Sequence, residues 1–192
     1  MRDMSDHSPV TVAPATVPYA YPLDALYALA GLPLPPIEKI PAQEVPEPYR
    51  ALLVHNNDMT PTLETFHGFS IHLRILHREQ RGDYYYRQVA LVLDGSERPV
   101  EFGANKVSLL LFPPKARQLI LEERVPLGTI LKQCQVGHQT TAKAFFRVAP
   151  DDLIAGVLRL NDRPALFGRK ATIMDPQKRP LSEIVEILPP AV

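Results

Sequence analysis

The sequence predicts an α+β fold in which an antiparallel sheet of about six strands carries helices on one side. Residues 69–78 alternate apolar and polar side chains, as a half-buried strand does. Residues 84–93 form a longer run of aromatic, β-branched and aliphatic residues that stops at Asp94-Gly95, a strong turn signal. The other predicted strands can all be joined by hairpins or short helices, and this pattern favours antiparallel pairing.

Composition excludes several classes of protein. The chain has 192 residues, 45% hydrophobic and 22% charged, which is typical of one soluble globular domain. The formal net charge is zero, so no overall field attracts nucleic acid or an acidic membrane. No apolar run approaches the ~20 residues of a membrane span, and the N-terminus lacks the apolar core of a signal peptide, so we expect a cytoplasmic protein. Cys134 is the single cysteine, which excludes an intramolecular disulfide.

Proline divides the chain into three parts. Ten of the 21 prolines fall within the first 50 residues. We expect residues 1–20 to be a disordered tail and residues 21–47 to be a Pro-rich strap that packs on the domain. The strap begins with a short helix predicted at 23–31, and the domain itself spans 48–192.

The remaining elements follow in order from short-range patterns. A helix is predicted at 48–55, and a second helix begins after a cap at Asp58 or Thr60. Two more helices are predicted at 115–124 and 129–136, and a turn or short helix is predicted at 151–158. Strands are predicted at 69–78, 84–93, 99–112, 140–148, 167–174 and 182–188.

Arg87 is the one charged residue inside the apolar run of the second long strand. With a period of two it shares a face with Tyr85, Val89, Leu91 and Leu93, so it is expected to point inward. A buried guanidinium without a partner costs several kcal/mol or more. The sequence therefore predicts either a protein carboxylate or an anionic ligand opposite Arg87.

Five short motifs occur in an order that resembles one known family. The resemblance is to the chorismate lyases (chorismate pyruvate-lyase, 4-hydroxybenzoate synthase) and their ligand-sensing relatives, the effector domains of certain bacterial transcription regulators, over roughly residues 48–190. The motifs are Asp58-Met59-Thr60, the strand with Arg87 followed by Asp94-Gly95, Pro126-Leu127-Gly128, Gly168-Arg169-Lys170, and a last strand with Glu186 before a proline.

The resemblance implies a chorismate lyase-like fold and an enzyme without cofactor or metal. Such an enzyme eliminates pyruvate from chorismate and leaves 4-hydroxybenzoate for ubiquinone biosynthesis, in a closed cavity under two helical flaps. By motif, Arg87 would bind the ring carboxylate, the backbone amides of Met59 and Leu127 would line the same end, and Glu186 would act at the ring hydroxyl. Glu183 competes with Glu186, but the two lie on opposite strand faces and only Glu186 shares a face with apolar neighbours.

One position departs from the lyase pattern. The lyases carry a second arginine just after a glycine in the next strand, and here that position is Ala104, after Gly103. Because chorismate is a dianion, a monoanionic aromatic acid would suit the site better, unless Lys106, Arg169 or Lys170 substitutes. Lys106 shares the face of Ala104 and is the first candidate.

The sequence thus leaves several functions open. The first is a chorismate lyase-like carbon–oxygen lyase with Arg87 and Glu186 as catalytic residues. The alternatives are a non-catalytic binding domain for a small aromatic carboxylic acid and a related enzyme on another carboxylated substrate. A further alternative, which involves no ligand, is a structural ion pair between Arg87 and Glu186.

The expected partner is a small aromatic carboxylate, not nucleic acid or a membrane. No DNA-binding region is recognised before the resemblance, so a complete regulator is not expected. No metal site is expected either, because His67, His72 and His77 alternate between strand faces.

Overall fold

The computed structural model describes residues 18–190, and its centre is one sheet of seven strands. The strands are β1 (Ile37–Ile40), β2 (Ile71–Arg81), β3 (Tyr84–Leu93), β4 (Pro99–Ser108), β5 (Gln139–Val148), β6 (Leu166–Met174) and β7 (Pro180–Leu188). Their order across the sheet is β1-β5-β6-β7-β4-β3-β2. Every neighbouring pair is antiparallel, as predicted.

Six short helices complete the fold within the described part of the chain. They are α1 (Leu23–Leu29), α2 (Tyr49–Leu53), α3 (Met59–His67), α4 (Pro114–Glu122), α5 (Leu127–Gln133) and α6 (Asp152–Leu158). The region 151–158, predicted as a turn or short helix, is the helix α6, whose N-cap Asp151 accepts a hydrogen bond from the Ile154 amide at 2.9 Å.

The helices lie on both faces of the sheet, so the prediction of helices on one side was wrong. Helices α2 to α5 pack on a first face that carries Val89, Leu91 and Ile184. Helices α1 and α6 pack on the second face against Phe102 and Val185. Central strands therefore need apolar residues on both faces, which explains why β3 and β4 are buried almost throughout.

The seventh strand comes from the segment predicted as an extended strap. Strand β1 lies between prolines and pairs with the edge of β5, with Ile37 opposite Val148. In addition, the strand predicted at 99–112 ends at Ser108 and continues as a 3-10 turn over Leu109–Leu111. Most of the tail predicted at 1–20 lies outside the described residues. In residues 18–190 no helix is long and apolar enough to cross a membrane.

Candidate functional site

A small cavity lies between the first face of the sheet and the N-terminal ends of α3 and α5. Its volume is about 40 Å³. The sheet contributes polar and charged side chains to its lining, and they are Arg87, Glu101, Asn105, Thr140, Arg169 and Glu186. Apolar side chains such as Leu73, Val89 and Ile173 separate them. Buried polar groups surrounded by apolar walls are typical of a ligand site.

Arg87 on β3 lies in this cavity and is 0% exposed. Within residues 18–190 none of its three guanidinium nitrogens, Nε, Nη1 or Nη2, has a hydrogen-bond partner. Most buried polar groups in folded proteins are hydrogen-bonded, so a guanidinium with no protein partner is unusual. Its inward direction agrees with the period-two pattern of the strand.

Arg87 remains positively charged although it is buried. Desolvation lowers the pKa of the guanidinium to about 10, while Tyr85 and Glu123 act in the opposite direction. Glu123 itself accepts hydrogen bonds from Tyr85 and Arg78. A pKa of about 10 keeps Arg87 cationic at neutral pH, so the cavity presents a desolvated positive charge.

The two helix starts face the same cavity. Met59 and Leu127 are the first residues of α3 and α5, and both line it. Backbone N–H groups in a first helical turn lack intrahelical acceptors, and the resemblance gives those of Met59 and Leu127 a role in binding. Gly128 lets the two helices approach closely, since a Cβ there would lie 3.2 Å from the Thr60 hydroxyl oxygen.

Asp58 fixes the start of α3 to the sheet. Its Oδ1 accepts from the Thr140 hydroxyl at 2.5 Å, and its Oδ2 lies 2.8 Å from Nε2 of His138. The Asp58 side chain does not cap its own helix. These contacts tie the roof of the cavity to the loop before β5 and to β5 itself, and sequence patterns did not single out His138 or Thr140.

Arg169 on β6 also lines the cavity, but protein acceptors surround it. Its Nε donates to Glu186 Oε2 at 2.5 Å, and its other nitrogens donate to the carbonyl oxygens of His55 and Asn57, both at 3.0 Å. His55 Nδ1 lies 3.1 Å from Arg169 Nη1, while His55 Nε2 faces the Leu52 carbonyl oxygen at 2.7 Å. This arrangement places the His55 proton on Nε2. Burial, followed by the charge of Arg169, lowers the pKa of His55.

Glu186 and Glu183 lie on opposite faces of β7, as their spacing requires. Glu186 lines the cavity and is paired with Arg169. Glu183 lies on the other side and is paired with Lys170 at 3.0 Å. The structure therefore brings Glu186 to Arg87's cavity, but in an ion pair with Arg169 and not with Arg87.

The side chains of β4 that were expected at the cavity point away from it. Ala104 and Lys106 were expected at the cavity, but they point to the second face, where Ala104 packs beside Phe102. Lys106 Nζ lies 4.1 Å from the ring centroid of Tyr84 and lines a separate surface pocket. The structure therefore does not place Lys106 in the cavity, where it was expected to supply a second positive charge.

The β4 side chains that do reach the cavity are Glu101 and Asn105, and neither was predicted. Both are buried, and Glu101 Oε2 and Asn105 Oδ1 have no hydrogen-bond partner among the described residues. Burial raises the pKa of Glu101 well above its usual range, and the nearby Glu186 carboxylate raises it further. Arg87, Glu101 and Asn105 thus concentrate unpartnered buried polar atoms in one cavity.

A larger groove of about 470 Å³ lies elsewhere, between the ends of α3, β7 and the loop after α6. Phe66, His67 and Arg98 line it together with Leu160 and Pro189. Its described lining contains no buried side-chain atom without a hydrogen-bond partner. Because the buried polar atoms without partners line the smaller cavity, we take that cavity as the candidate site, although the groove is larger.

No protein-family model matches the chain, and no curated protein sequence matches it. Solved structures do match. PhnF from Mycobacterium smegmatis aligns over 71% of this chain and 65% of its own, with a TM-score of 0.55 and 12% identity. The separately solved effector domain of PhnF aligns over 70% of this chain and 89% of its own, with a TM-score of 0.53 and 12% identity. YydK from Bacillus subtilis, named as a possible transcriptional regulator, aligns over 64% of this chain and 60% of its own, with a TM-score of 0.50 and 6% identity.

At these identities the matches show the fold alone. The chain spans 65% of the PhnF chain but 89% of the PhnF effector domain. The chain therefore shares the α+β fold of the PhnF effector domain, and this fold is chorismate lyase-like, as the resemblance implied. The matched structures give no support to the lyase activity itself.

Proposed function

We propose that this domain binds a small aromatic monocarboxylic acid in the cavity, with Arg87 holding the carboxylate, and that it acts as a ligand-binding domain without catalysis. The observation that carries the proposal is the fully buried guanidinium of Arg87, whose nitrogens lack partners in the described chain. An arginine offers a planar pair of donors that a carboxylate accepts bidentately. Binding such a ligand would neutralise the buried charge.

The charges of the cavity support a ligand with one carboxylate. Arg169 already serves Glu186 and backbone carbonyl groups, and Lys106 lies on the other face. In the described part of the cavity this leaves Arg87 as the cation available to an anion. A dianion such as chorismate would bury a second carboxylate without a cation, which costs several kcal/mol.

The state of Glu186 supports binding rather than elimination. The resemblance assigns this residue to the ring hydroxyl, but here one carboxylate oxygen accepts from Arg169 Nε at 2.5 Å. That oxygen is therefore occupied by the protein and is not available to a ring hydroxyl. The likeness to the effector domain of PhnF points the same way, and we extend it to a sensing role for this domain.

The size of the cavity has a consequence for binding. Its volume of about 40 Å³ is well below the roughly 300–1,000 Å³ of typical ligand pockets. An aromatic acid therefore needs the first turns of α3 and α5 to move outward. We expect slow association that depends on this opening.

Calorimetric titration with benzoate and 4-hydroxybenzoate tests the proposal, with benzamide as a neutral control ligand. We expect both acids to bind and benzamide not to bind. Arg87→Met should weaken binding of the acids by roughly tenfold to a hundredfold, the scale of a hydrogen-bonded charge pair. Lys106→Met is the matched control, since it removes one positive charge from the second face, and it should leave affinity unchanged. Equal affinity in the Arg87 variant would contradict the proposal.

Incubation with chorismate tests the catalytic alternative directly. We expect no release of pyruvate above the uncatalysed rate. Stoichiometric release of pyruvate and 4-hydroxybenzoate, lost in Arg87→Met, would make the protein a lyase and would overturn the non-catalytic assignment.

A further inference from the structure

Glu101 is a second buried group in the cavity that the mechanism of carboxylate binding does not use. It lies on β4, opposite Leu91 of β3, and is 4% exposed. Its Oε2 has no hydrogen-bond partner within residues 18–190. A buried carboxyl group with a free oxygen that lines a ligand cavity is available to the ligand.

The side chain of Glu101 folds along its own strand toward the middle of the cavity. A Cβ built on Gly103 would lie 2.8 Å from Glu101 Oε1, so the carboxyl group occupies the space above that glycine. Gly103 pairs with Val89 on one side and with Glu186 on the other. The absence of a side chain at Gly103 is what gives the carboxyl group this position.

The position of Glu101 relative to Arg87 follows from the strand register. Arg87 pairs with Asn105, two residues beyond Gly103. At about 3.3 Å per residue, the carboxyl group above Gly103 and the row of Arg87 are roughly 7 Å apart along the strands. Arg87 and the Glu101 carboxyl group therefore belong to different rows of the sheet, so one ligand can offer a separate polar group to each of them.

The charges around Glu101 favour its neutral form. The charged and titratable side chains that line the cavity are Glu186 from β7, Arg169 from β6, Arg87 from β3 and Asp58 at the start of α3. Arg169 already pairs with Glu186, so an ionised Glu101 would be a second buried anion beside that pair. Burial and the Glu186 carboxylate accordingly raise the pKa of Glu101. A neutral carboxyl group has an O–H donor as well as an acceptor.

We propose that the Glu101 carboxyl group hydrogen-bonds an oxygen at the far end of the ligand and thereby selects aromatic acids that carry a hydroxyl or carbonyl group opposite their carboxylate. The inference rests on the proposed function, because it takes the carboxylate to be held by Arg87. It gives this role to Glu101 and not to Glu186, whose Oε2 is engaged by Arg169. It also predicts that an acid with a second carboxylate at that end is rejected, since two acids would meet there.

The test is the ratio of two affinities, those for 4-hydroxybenzoate and benzoate, measured by calorimetry in the wild type, Glu101→Gln and Glu101→Leu. In the wild type 4-hydroxybenzoate should bind roughly tenfold more tightly, the scale of one buried hydrogen bond. The glutamine variant keeps a neutral hydrogen-bonding group and should keep most of this ratio. The leucine variant should bring the ratio close to one while it still binds benzoate.

Glu183→Leu is the control, because Glu183 lies on the second face, and it should keep the wild-type ratio. A ratio that stays unchanged in Glu101→Leu, or equal wild-type affinity for both acids, overturns the role of Glu101 and leaves carboxylate binding by Arg87 intact. If neither acid binds the wild type, the proposed function fails and this inference fails with it.

Discussion

At the scale of single residues, two buried arginines on one face of the sheet have opposite surroundings. Arg169 donates to Glu186 and to the carbonyl groups that join α2 to α3. Arg87 has no protein partner in the described chain. The first arginine holds the fold together, whereas the second carries a desolvation cost that ligand binding can offset.

The two arginines should therefore differ in their effect on stability. Arg169→Met leaves the buried Glu186 carboxylate without its partner and removes the donor to the carbonyl groups of His55 and Asn57, and we expect it to lower the free energy of unfolding by about 3–5 kcal/mol. Arg87→Met replaces an unpartnered buried charge with an apolar side chain, so stability should stay the same or increase. Urea denaturation of both variants in the absence of ligand measures this. A large loss of stability in Arg87→Met would show that Arg87 has a structural partner.

Glu101 makes stability depend on pH in a definite direction. Because its pKa in the folded state is raised above its usual value of 4.5, the folded protein binds up to one more proton than the unfolded chain between pH 4.5 and that raised pKa. Its contribution to stability is complete below pH 4.5 and is lost as the pH rises toward the raised value, by up to about 1.4 kcal/mol per pH unit.

Glu101→Gln removes this dependence, so the variant should gain stability relative to the wild type as the pH rises above 4.5. Denaturation curves at several pH values give the difference, and the contribution of His55 cancels because both proteins contain it. Parallel curves for the two proteins would show that Glu101 is ionised in the folded state.

At the scale of elements, the sequence predicted strands better than it predicted their faces. Strands β2 and β3 were found because apolar alternation and the turn at Asp94-Gly95 are local signals. In β4 both faces are buried, so alternation does not show which face meets the cavity. Ala104 was assigned to the cavity from the lyase pattern, alternation did not correct that assignment, and Glu101 was missed. The register against Arg87, which only pairing defines, places Glu101 and Asn105 correctly.

The helices and β1 also show that local sequence patterns do not predict which elements pack together. Local patterns predicted where helices α1 to α5 lie, but not which side of the sheet each one covers. Strand β1 has four residues between prolines and is mostly exposed, so it carries no strand signal of its own. Its extended form is stabilised by pairing with β5, a contact between residues more than 100 positions apart.

Two glycines on central strands give matched predictions about close packing. A Cβ on Gly168 of β6 would lie 2.4 Å from the Phe146 ring and 2.5 Å from the Glu186 carbonyl oxygen. Neither group can move freely, so Gly168→Ala should lower stability by roughly 1–3 kcal/mol or more. Gly103→Ala meets mainly the far end of the flexible Glu101 side chain, at 2.8 Å, and should cost less.

Denaturation of both glycine variants ranks the two costs, and ligand titration of Gly103→Ala provides a second measurement. Displacement of Glu101 should reduce the preference for 4-hydroxybenzoate over benzoate without abolishing binding of either acid. A larger loss of stability in Gly103→Ala than in Gly168→Ala would contradict the close approach seen at Gly168.

At the scale of the whole molecule, one face of the sheet carries the cavity and the other face carries a separate hydrophobic core. The first face holds, under α3 and α5, the cavity that we propose as the binding site. The second face is covered by α1 and α6 around Phe102 and Val185. Helix α1 belongs to the segment predicted as a strap that packs on the domain, and its side chains form part of this second core. Stability and ligand affinity should therefore respond to different sets of residues.

Helix α1 tests this division with two leucines. Leu26 is 1% exposed against the second face, and Leu29 on the same helix is 39% exposed. Leu26→Ala should lower the free energy of unfolding by about 2–5 kcal/mol, because it leaves a cavity in the second core. Leu29→Ala removes the same atoms from the surface and should change stability by no more than about 0.5 kcal/mol.

Because α1 lies across the sheet from Arg87, both leucine variants should bind benzoate with wild-type affinity under conditions where they are folded. Urea denaturation followed by calorimetry on the same samples measures both quantities. Wild-type stability in Leu26→Ala would mean that α1 does not form part of the core. A loss of affinity in that variant, with the fold intact, would mean that the two faces are coupled through the central strands, and that the cavity depends on the N-terminal helix as well as on its own walls.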